Sequence, residues 1–532
     1  YYADNIFAPL RPLSKLGLNG TGQVINVVDT GVDVLNAFFY DPKPENDINS
    51  ITGKTNKNHR KIVRLEPIVD NTDSYRGHGT HVAGTACGEA YCSECGISQY
   101  NGIASGAKLY FSDIGNSTSG KLAGTVDLAE QYEIFKELDV HISSNSWGFN
   151  SVNSEVEFTY NKGAYEHPYV LYLFAAGNSY SYNTINSPGN AKNVFTVSAM
   201  DFISSSFLEY SQGEIYIHNE THSVRGDEMM NKLIYQNSVG DPMKYYINLS
   251  LTQFEGYLNN DKNEPSSYYK DSAVVLNKEP GNDNDICVRA KNVSSYGAAA
   301  AFYVESEDYF VCDPIPEIPM IRLKKEGISF LLQMGEKVSL LLFEGEERAL
   351  PEAAMQASKG PANSGLRKPD VIVPGTNINS ASSHGPELDY EVTTDASENV
   401  WIKSGTSMAT PAVAGLAAIV LQYLREGFYP TLKKGTGTSV MTPSSCLLRA
   451  LLVNTAIKPD TSEGECKASP RNDVGFGTPF LNNVLGFKKG SSLRFIDNET
   501  IESNSHRVYR INLDSNEADL SVTLVFLDPP LN

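Results

Sequence analysis

No run in this chain approaches the roughly 18 consecutive apolar residues of a membrane-crossing helix, so no span is expected. Positive charge is short: 43 Lys and Arg stand against 63 Asp and Glu, giving a formal net charge of −20. A surface of that sign repels nucleic acid and anionic membrane, and neither is expected as a partner. The acids are scattered, with small clusters such as Glu344-Gly345-Glu346-Glu347, which reads as a solvated surface. No EF-hand or other clear calcium loop is visible, so metal ligands stay unknown. Internal repeats and long low-complexity tracts are missing; Gly435-Thr436-Gly437-Thr438-Ser439 is a short flexible loop. The chain starts at Tyr1 and shows no signal peptide, from which a removed or omitted signal and pro-segment are inferred.

Cysteine is scarce and odd in number, with 7 in 532 residues. The cysteines fall into local groups: Cys87, Cys92 and Cys95; Cys287 and Cys312; Cys446 and Cys466. Bridges Cys287–Cys312 and Cys446–Cys466 are the candidates, with one pair drawn from the first group, although connectivity is not readable from sequence. Cys92-Ser93-Glu94-Cys95 lacks the βαβ context or second CxxC of a redox or zinc site. N-x-S/T sequons begin at Asn19, Asn116, Asn219, Asn248, Asn292 and Asn498. With the cysteines they favour a secreted protein or a secretory or lysosomal-type compartment.

What the chain does have is four short islands rich in small residues: Asp29-Thr30-Gly31, His78-Gly79-Thr80-His81-Val82-Ala83-Gly84, Ala175-Ala176-Gly177-Asn178 and Gly405-Thr406-Ser407-Met408-Ala409-Thr410-Pro411. They supply a carboxylate, an imidazole, an amide donor and a hydroxyl. A serine hydroxyl is a poor nucleophile until a base takes its proton and donors hold the resulting oxyanion. Asp29 follows the buried-strand run Val24-Ile25-Asn26-Val27-Val28, and strand C-terminal ends carry function in open α/β sheets. Ser407 opens an apolar helical stretch, where free N–H groups and the positive dipole end favour negative charge. Pro411 is expected in that helix's opening turn. His78 and His81 have a metal-like spacing, but no acidic third ligand follows, and His81 reads as a packed neighbour of the site. By themselves, Asp-Thr-Gly and Gly-Asn are more often turn residues, and a serine opening a buried helix is commonly just its cap.

Taken in the order Asp, His, Asn, Ser, the islands resemble the subtilisin family of serine peptidases. Lys368-Pro369-Asp370-Val371-Ile372-Val373-Pro374-Gly375 and Gly475-Phe476-Gly477 resemble two further family segments. The resemblance covers about residues 10–205 and 353–487. It implies Ser407 as nucleophile, His78 as general base and then acid, Asp29 as the group orienting the imidazole, and Asn178 with the Ser407 N–H as oxyanion donors. Ser146-Trp147-Gly148 would pair with substrate backbone as an added strand, facing Ala175, Ala176 and Gly177 across the P1 pocket. The loop Thr184–Gly189 would close its base, and Asn186 would shorten it. None of these three segments is acidic, so P1 is expected to be apolar or medium-sized and not basic. The chemistry requires no cofactor. Family members often bind structural calcium, and a cleaved or separate pro-segment would be a partner beside the polypeptide substrate. A monomer is expected.

The expected fold is α/β: a subtilisin-like doubly wound parallel sheet. Residues 1–205 and 353–487 would form the catalytic domain, with strands at 24–28, 108–113, 141–146, 170–175 and 194–199 and helices at 78–88 and 121–137. Residues 206–352 resemble an inserted protease-associated (PA) α+β domain, with apolar segments at 271–276, 298–304 and 318–321 and a helix between Cys287 and Gly297. Residues 488–532 would begin a C-terminal β-sandwich, because 507–513 and 520–527 alternate with period two. Two other functions compete with an endopeptidase. A binding-only scaffold would show a changed triad. An exopeptidase would need an acidic anchor for the substrate amine, and none can be located. Sedolisins use Glu and Asp in place of His, which His78 and Asn178 exclude.

Overall fold

The computed structural model describes residues 13, 16–92, 95–200, 209–210, 213–219, 222–225, 232–234, 244–254, 272–276, 284–298, 300–304, 320–323, 337–342, 354, 356–431, 433–435, 440–456, 472–481, 493–502, 504–512 and 520–530. The chain divides into two compact units: Pro12–Phe202 with Pro351–Asn532, and Ile203–Leu350.

The first unit is built on seven strands: β1 Val24–Asp29, β2 Ile62–Pro67, β3 Lys108–Asp113, β4 Ile142–Asn145, β5 Leu171–Ala175, β6 Phe195–Met200 and β7 Val371–Pro374. Every neighbouring pair is parallel, in the order β7-β6-β5-β4-β1-β3-β2. Parallel strands are covered on both faces, which is why these segments are almost unbroken apolar runs. Alternate residues go to opposite faces. Leu171 and Leu173 join Val27, Leu109 and Phe111 beneath α1 (His78–Cys87) and the later helix Thr406–Arg425. Tyr172 and Phe174 join Tyr110 beneath α2 (Leu128–Leu138) and α3 (Ser154–Glu166). The doubly wound reading therefore holds.

Three expectations change. The helix expected over 121–137 begins only at Leu128, where the Asp127 side chain accepts from Ala129 N at 2.8 Å; Lys121–Leu122 instead pairs with Gly115–Asn116 as a short hairpin. The helix α4, Thr406–Arg425, has the length and composition of a membrane span, with mean hydropathy 1.5, although no such segment was expected. It is 89% buried inside the protein, so it is a core helix. Finally, the described residues of 493–512 and 520–530 contain no strand. Val508, Val522, Leu524 and Phe526 are exposed there. Period-two alternation makes a strand only where a neighbour pairs with its backbone and covers one face.

The second unit holds a nine-stranded mixed sheet. Its parallel stretch runs Lys244–Phe254, Ser272–Leu276, Ala300–Val304, Met320–Leu323, with the helix Asn284–Ser295 crossing between the second and third. Ser272–Leu276, Ala300–Val304 and the helix fall on segments read from the sequence, and Met320–Leu323 overlaps a third; Lys244–Phe254 was not among those segments.

In the unit built on the seven-stranded sheet, buried Lys368 donates to Asp370 Oδ2 at 2.6 Å and Val194 O at 2.8 Å, while Asp370 Oδ2 also accepts from Thr196 N at 2.7 Å. Burial holds the lysine below its ordinary range, with Asp370 opposing. Removing one partner of a buried pair leaves an uncompensated charge. Asp370→Ala should therefore destabilise this unit by about 3–5 kcal/mol, read from the urea midpoint. A loss under about 1 kcal/mol would show the pair to be incidental.

Candidate active site

Asp29 ends β1, buried to 1% exposure. Its Oδ1 accepts from Thr30 N at 2.8 Å and lies 2.7 Å from His78 Nδ1. A carboxylate has no proton to give at neutral pH, so Nδ1 carries the hydrogen and Nε2 is left as the base. The imidazole is one-third exposed. Burial disfavours its cation, but the charge and hydrogen bond of Asp29 outweigh burial and the nearby Lys403. The His78 pKa is raised above its ordinary value.

Ser407 lies in the first turn of α4, after Gly405 at the N-cap, so its N–H has no intrahelical acceptor. Pro411 is the sixth residue of α4 and not part of its opening turn. Lacking an N–H, it leaves the Ser407 carbonyl free, and Ser146 Oγ donates to that oxygen at 2.8 Å. In return Ser407 Oγ donates to Ser146 O at 3.0 Å. Among the described residues no hydrogen bond joins Ser407 to His78. The topology still brings them to one edge: Val28 pairs with Asn145, so Asp29 ends one strand beside the point where Ser146 leaves its neighbour.

Asn178 Oδ1 accepts from Thr406 N at 3.0 Å and from Thr406 Oγ1 at 3.2 Å. A backbone N–H can only face an oxygen, which fixes the amide and leaves Nδ2 free to donate. That Nδ2 lies beside Gly405, where an added β-carbon would come within 3.3 Å of it.

Beyond Ser407, Ser146-Trp147-Gly148 and Ala175-Ala176-Gly177 are linked by the loop Thr184–Gly189. Asn186 N donates to Ala176 O at 2.9 Å, and Ser187 and Phe149 exchange backbone bonds of 2.7 and 3.1 Å. Trp147 packs edge-to-face on Phe174, with ring centroids 5.4 Å apart. Ser187 Oγ donates to Glu157 beneath the loop.

Sequence reasoning missed two acids beside Asp29. Asp73 Oδ2 accepts from Thr80 N at 2.8 Å and Thr80 Oγ1 at 2.7 Å; its Oδ1 accepts from Thr30 Oγ1 at 3.0 Å. Thr30 Oγ1 in turn accepts from Gly79 N at 2.8 Å. Asp73 thus caps α1 from outside, and Gly77 makes room for it: a β-carbon there would fall 2.0 Å from the carboxyl. Asp113 ends β3 in register with Asp29. Burial, with Asp70, Asp73 and Asp29 nearby, pushes it to about 9, so it holds its proton at neutral pH. The available signal was an Asp closing a second buried strand. His81 donates Nε2–H to the carbonyls of Ile378 and Trp401 at 3.0 and 3.1 Å, and burial depresses it to about 3. It ties α1 to the hairpin Ile378–Ala381/Val400–Lys403.

The cysteine expectations are corrected in part. Cys87, Cys92 and Cys95 are all free thiols, so no bridge forms among them. Cys87 is buried, and Cys95 turns its Sγ to the Cys92 carbonyl, 2.6 Å away. Cys446 is free as well, against the expected Cys446–Cys466 bridge. Cys312, Cys466 and the Cys287 side chain lie outside the described residues. Among the described residues, no group of three His, Cys, Asp or Glu is placed to hold a metal ion.

A family model described as "Subtilase family" matches residues 20–486. Among curated relatives, the Serine protease/ABC transporter B family protein tagD of Dictyostelium discoideum is 28% identical over 85% of this chain and 21% of its own length. The Minor extracellular protease Vpr of Bacillus subtilis is 22% identical over 88% of this chain and 52% of its own. The chain thus spans about a fifth of tagD and half of Vpr. Among solved structures, fervidolysin from Fervidobacterium pennivorans is 18% identical, with TM-score 0.44, over 90% of this chain and 44% of that one.

Burial raises Asp73 to about 6, against the hydrogen bonds from Thr80 and Thr30 and with Asp29 adding to the rise. A carboxyl raised in the fold contributes stability that is present below its unfolded pKa and lost as pH climbs through about 6. Asp73→Ala should cost about 1–3 kcal/mol by leaving the Thr80 N–H unpaired. The Tm gap between wild type and variant should narrow from pH 4.5 to pH 7; a gap that widens would reverse the assignment.

Proposed function

Since the chain belongs to the subtilase family of serine peptidases, we propose that it hydrolyses internal peptide bonds through a Ser407 acyl-enzyme. The observation that carries this is the Asp29–His78 contact on the same sheet edge as a serine at a helix N-terminus. Ser407 Oγ rotates from Ser146 O to His78 Nε2, which takes its proton as Oγ attacks the carbonyl carbon. The oxyanion is held by Asn178 Nδ2 and the Ser407 N–H, both unengaged at rest. His78, now protonated and steadied by Asp29, passes the proton to the leaving amine. Water then repeats the cycle in reverse and frees the acid product.

Substrate backbone lies along Ser146-Trp147-Gly148, with its P1 side chain between that segment and Ala175-Ala176-Gly177. The unit at 203–350 resembles a PA domain in its parallel strands and crossing helix, and we assign it to substrate access or protein contacts. Sequons and the extracellular relative support a secretory or extracellular setting; the free thiols add nothing to that. No cofactor enters the chemistry.

Three measurements test the mechanism. A fluorophosphonate probe should label the wild type and leave Ser407→Ala unlabelled; equal labelling of both would remove Ser407 from its role. Asn178→Ala should lower kcat by about 10²–10³ with little change in KM, the pattern of a donor used mainly in the transition state. An equal loss in substrate binding would instead make Asn178 a binding residue. The base must be neutral, and the folded pKa of His78 is raised above 6.5. Accordingly kcat/KM should climb with pH through a midpoint above 6.5, and a flat profile from pH 5.5 to 8 would exclude His78 as the base.

A further inference from the structure

The start of α1 is pinned to the hairpin Ile378–Ala381/Val400–Lys403 at two levels. His81 holds the carbonyls of Ile378 and Trp401. Residues three apart share a helix face, so His78 stands one turn before that anchor on the side turned to the hairpin. Ahead of His78, the Arg76 guanidinium lies over the Trp401 ring at 3.2 Å. Residues two apart on a strand point the same way, so Lys403 projects on the Trp401 side, where the segment entering α1 lies. The strand then runs on through Ser404 and Gly405 to Ser407.

Lys403 is half-buried, and among the described residues its ammonium makes no hydrogen bond or ion pair. Burial lowers its pKa, with the charges of Asp73 and Asp29 opposing. Both acids are engaged elsewhere, Asp29 by Thr30 and His78 and Asp73 by Thr80 and Thr30. A lysine ordinarily titrates far above an imidazole, so it carries its charge while His78 titrates.

Few other charges face the imidazole. Asp29 is the one charged residue of β1; β3 has Asp113 at that end, which holds its proton, and Lys108 at the other. The helix α4 carries none before Arg425 at its far end. The turn ahead of α1 adds Arg76, stacked on Trp401, and Asp73, which ionises near pH 6; His81 is neutral. Asp29 and Asp73 favour the His78 cation, and Lys403 opposes them.

We propose that Lys403 is a positioning residue that acts through His78: its ammonium opposes the imidazolium and sets the pH at which the base comes free. Asp29 by itself would draw the imidazole toward its protonated, idle form. A fixed cation on the nucleophile's side offsets that pull while Asp29 keeps the ring's direction. The inference rests on the acyl-enzyme reading above and deepens it.

The test is the pH profile of kcat/KM for a peptide coumarin amide that the wild type cleaves, repeated for Lys403→Met, Lys403→Gln, Lys403→Arg and Lys403→Glu. Fluorophosphonate labelling of Ser407 shows which variants are folded, and two neutral variants keep the result from hanging on one of them. Loss of the charge should raise the midpoint by about half a unit, the effect of one charge across a partly hydrated gap. Well below the midpoint that is about a threefold drop in kcat/KM. Lys403→Glu should raise the midpoint by about one unit, and Lys403→Arg should keep it in place. The gap between wild type and the neutral variants should shrink in about 1 M NaCl, because solvent reaches the ammonium. A side chain that only packs would change the rate and leave the midpoint alone. Midpoints that coincide in wild type and the neutral and acidic variants overturn the proposal, as does a midpoint that falls when the charge is removed. A flat wild-type profile removes His78 as the base, and the acyl-enzyme reading then falls first. A sloping wild-type profile that these variants leave unmoved sinks the role of Lys403 alone.

Discussion

The site depends on how closely the end of β1 approaches the start of α1. The Asp29–His78 bond of 2.7 Å needs the turn after the strand and the first helical turn in near-contact. Gly79 makes this achievable: a β-carbon there would fall 2.2 Å from Gly31 O. Thr30 then locks the approach, accepting from Gly79 N and donating to Asp73, which in turn holds Thr80. Two small residues and one buried acid thus fix the imidazole's direction. A long side chain at Gly79 would part the two elements and break the bond without touching either partner.

Gathering acids beneath an imidazole has an electrostatic limit. Asp29, Asp73 and Asp113 are all buried, and three unscreened negative charges so close would repel strongly. The rise of Asp113 to about 9 relieves this, because a neutral acid adds no charge at working pH. Asp29 is left to face His78 with its negative charge. The same neutralisation lets Asp113 occupy a strand end in register with Asp29 without adding a second negative charge there.

Much of this was legible in the residues because local physics decides it. The apolar runs at 24–28, 108–113 and 170–175 became strands buried on both faces, and Lys368-Pro369-Asp370 and Gly475-Phe476-Gly477 met where Phe476 N donates to Asp370 O at 2.8 Å. Features that depend on a distant partner were not legible. Asp73 looks like any loop acid until Thr80 and Thr30 close on it. The alternation at 507–513 and 520–527 promises strands, but pairing is a property of neighbours. Pro411 looked like a residue of the opening turn, and only the Ser146 contact shows which carbonyl it frees. Helix α4 has a membrane span's composition for a related reason: burial under a sheet and burial in lipid ask for the same side chains.

Pro411 and Ser146 also bear on how the nucleophile rests. The proline withholds an N–H from the Ser407 carbonyl, and Ser146 supplies the missing donor while its own carbonyl receives the Ser407 hydroxyl. Main chain and side chain of the nucleophile are thus both held by one groove residue. Resting geometry with the hydroxyl turned from its base is common before substrate binds. In the proposed mechanism a substrate strand laid along Ser146-Trp147-Gly148 would put its carbonyl carbon beside Oγ, and rotation about χ1 would turn the hydroxyl from Ser146 O toward His78. On that reading Ser146 both holds the resting Ser407 hydroxyl and would pair with the substrate backbone, so occupancy of the groove would be coupled to activation.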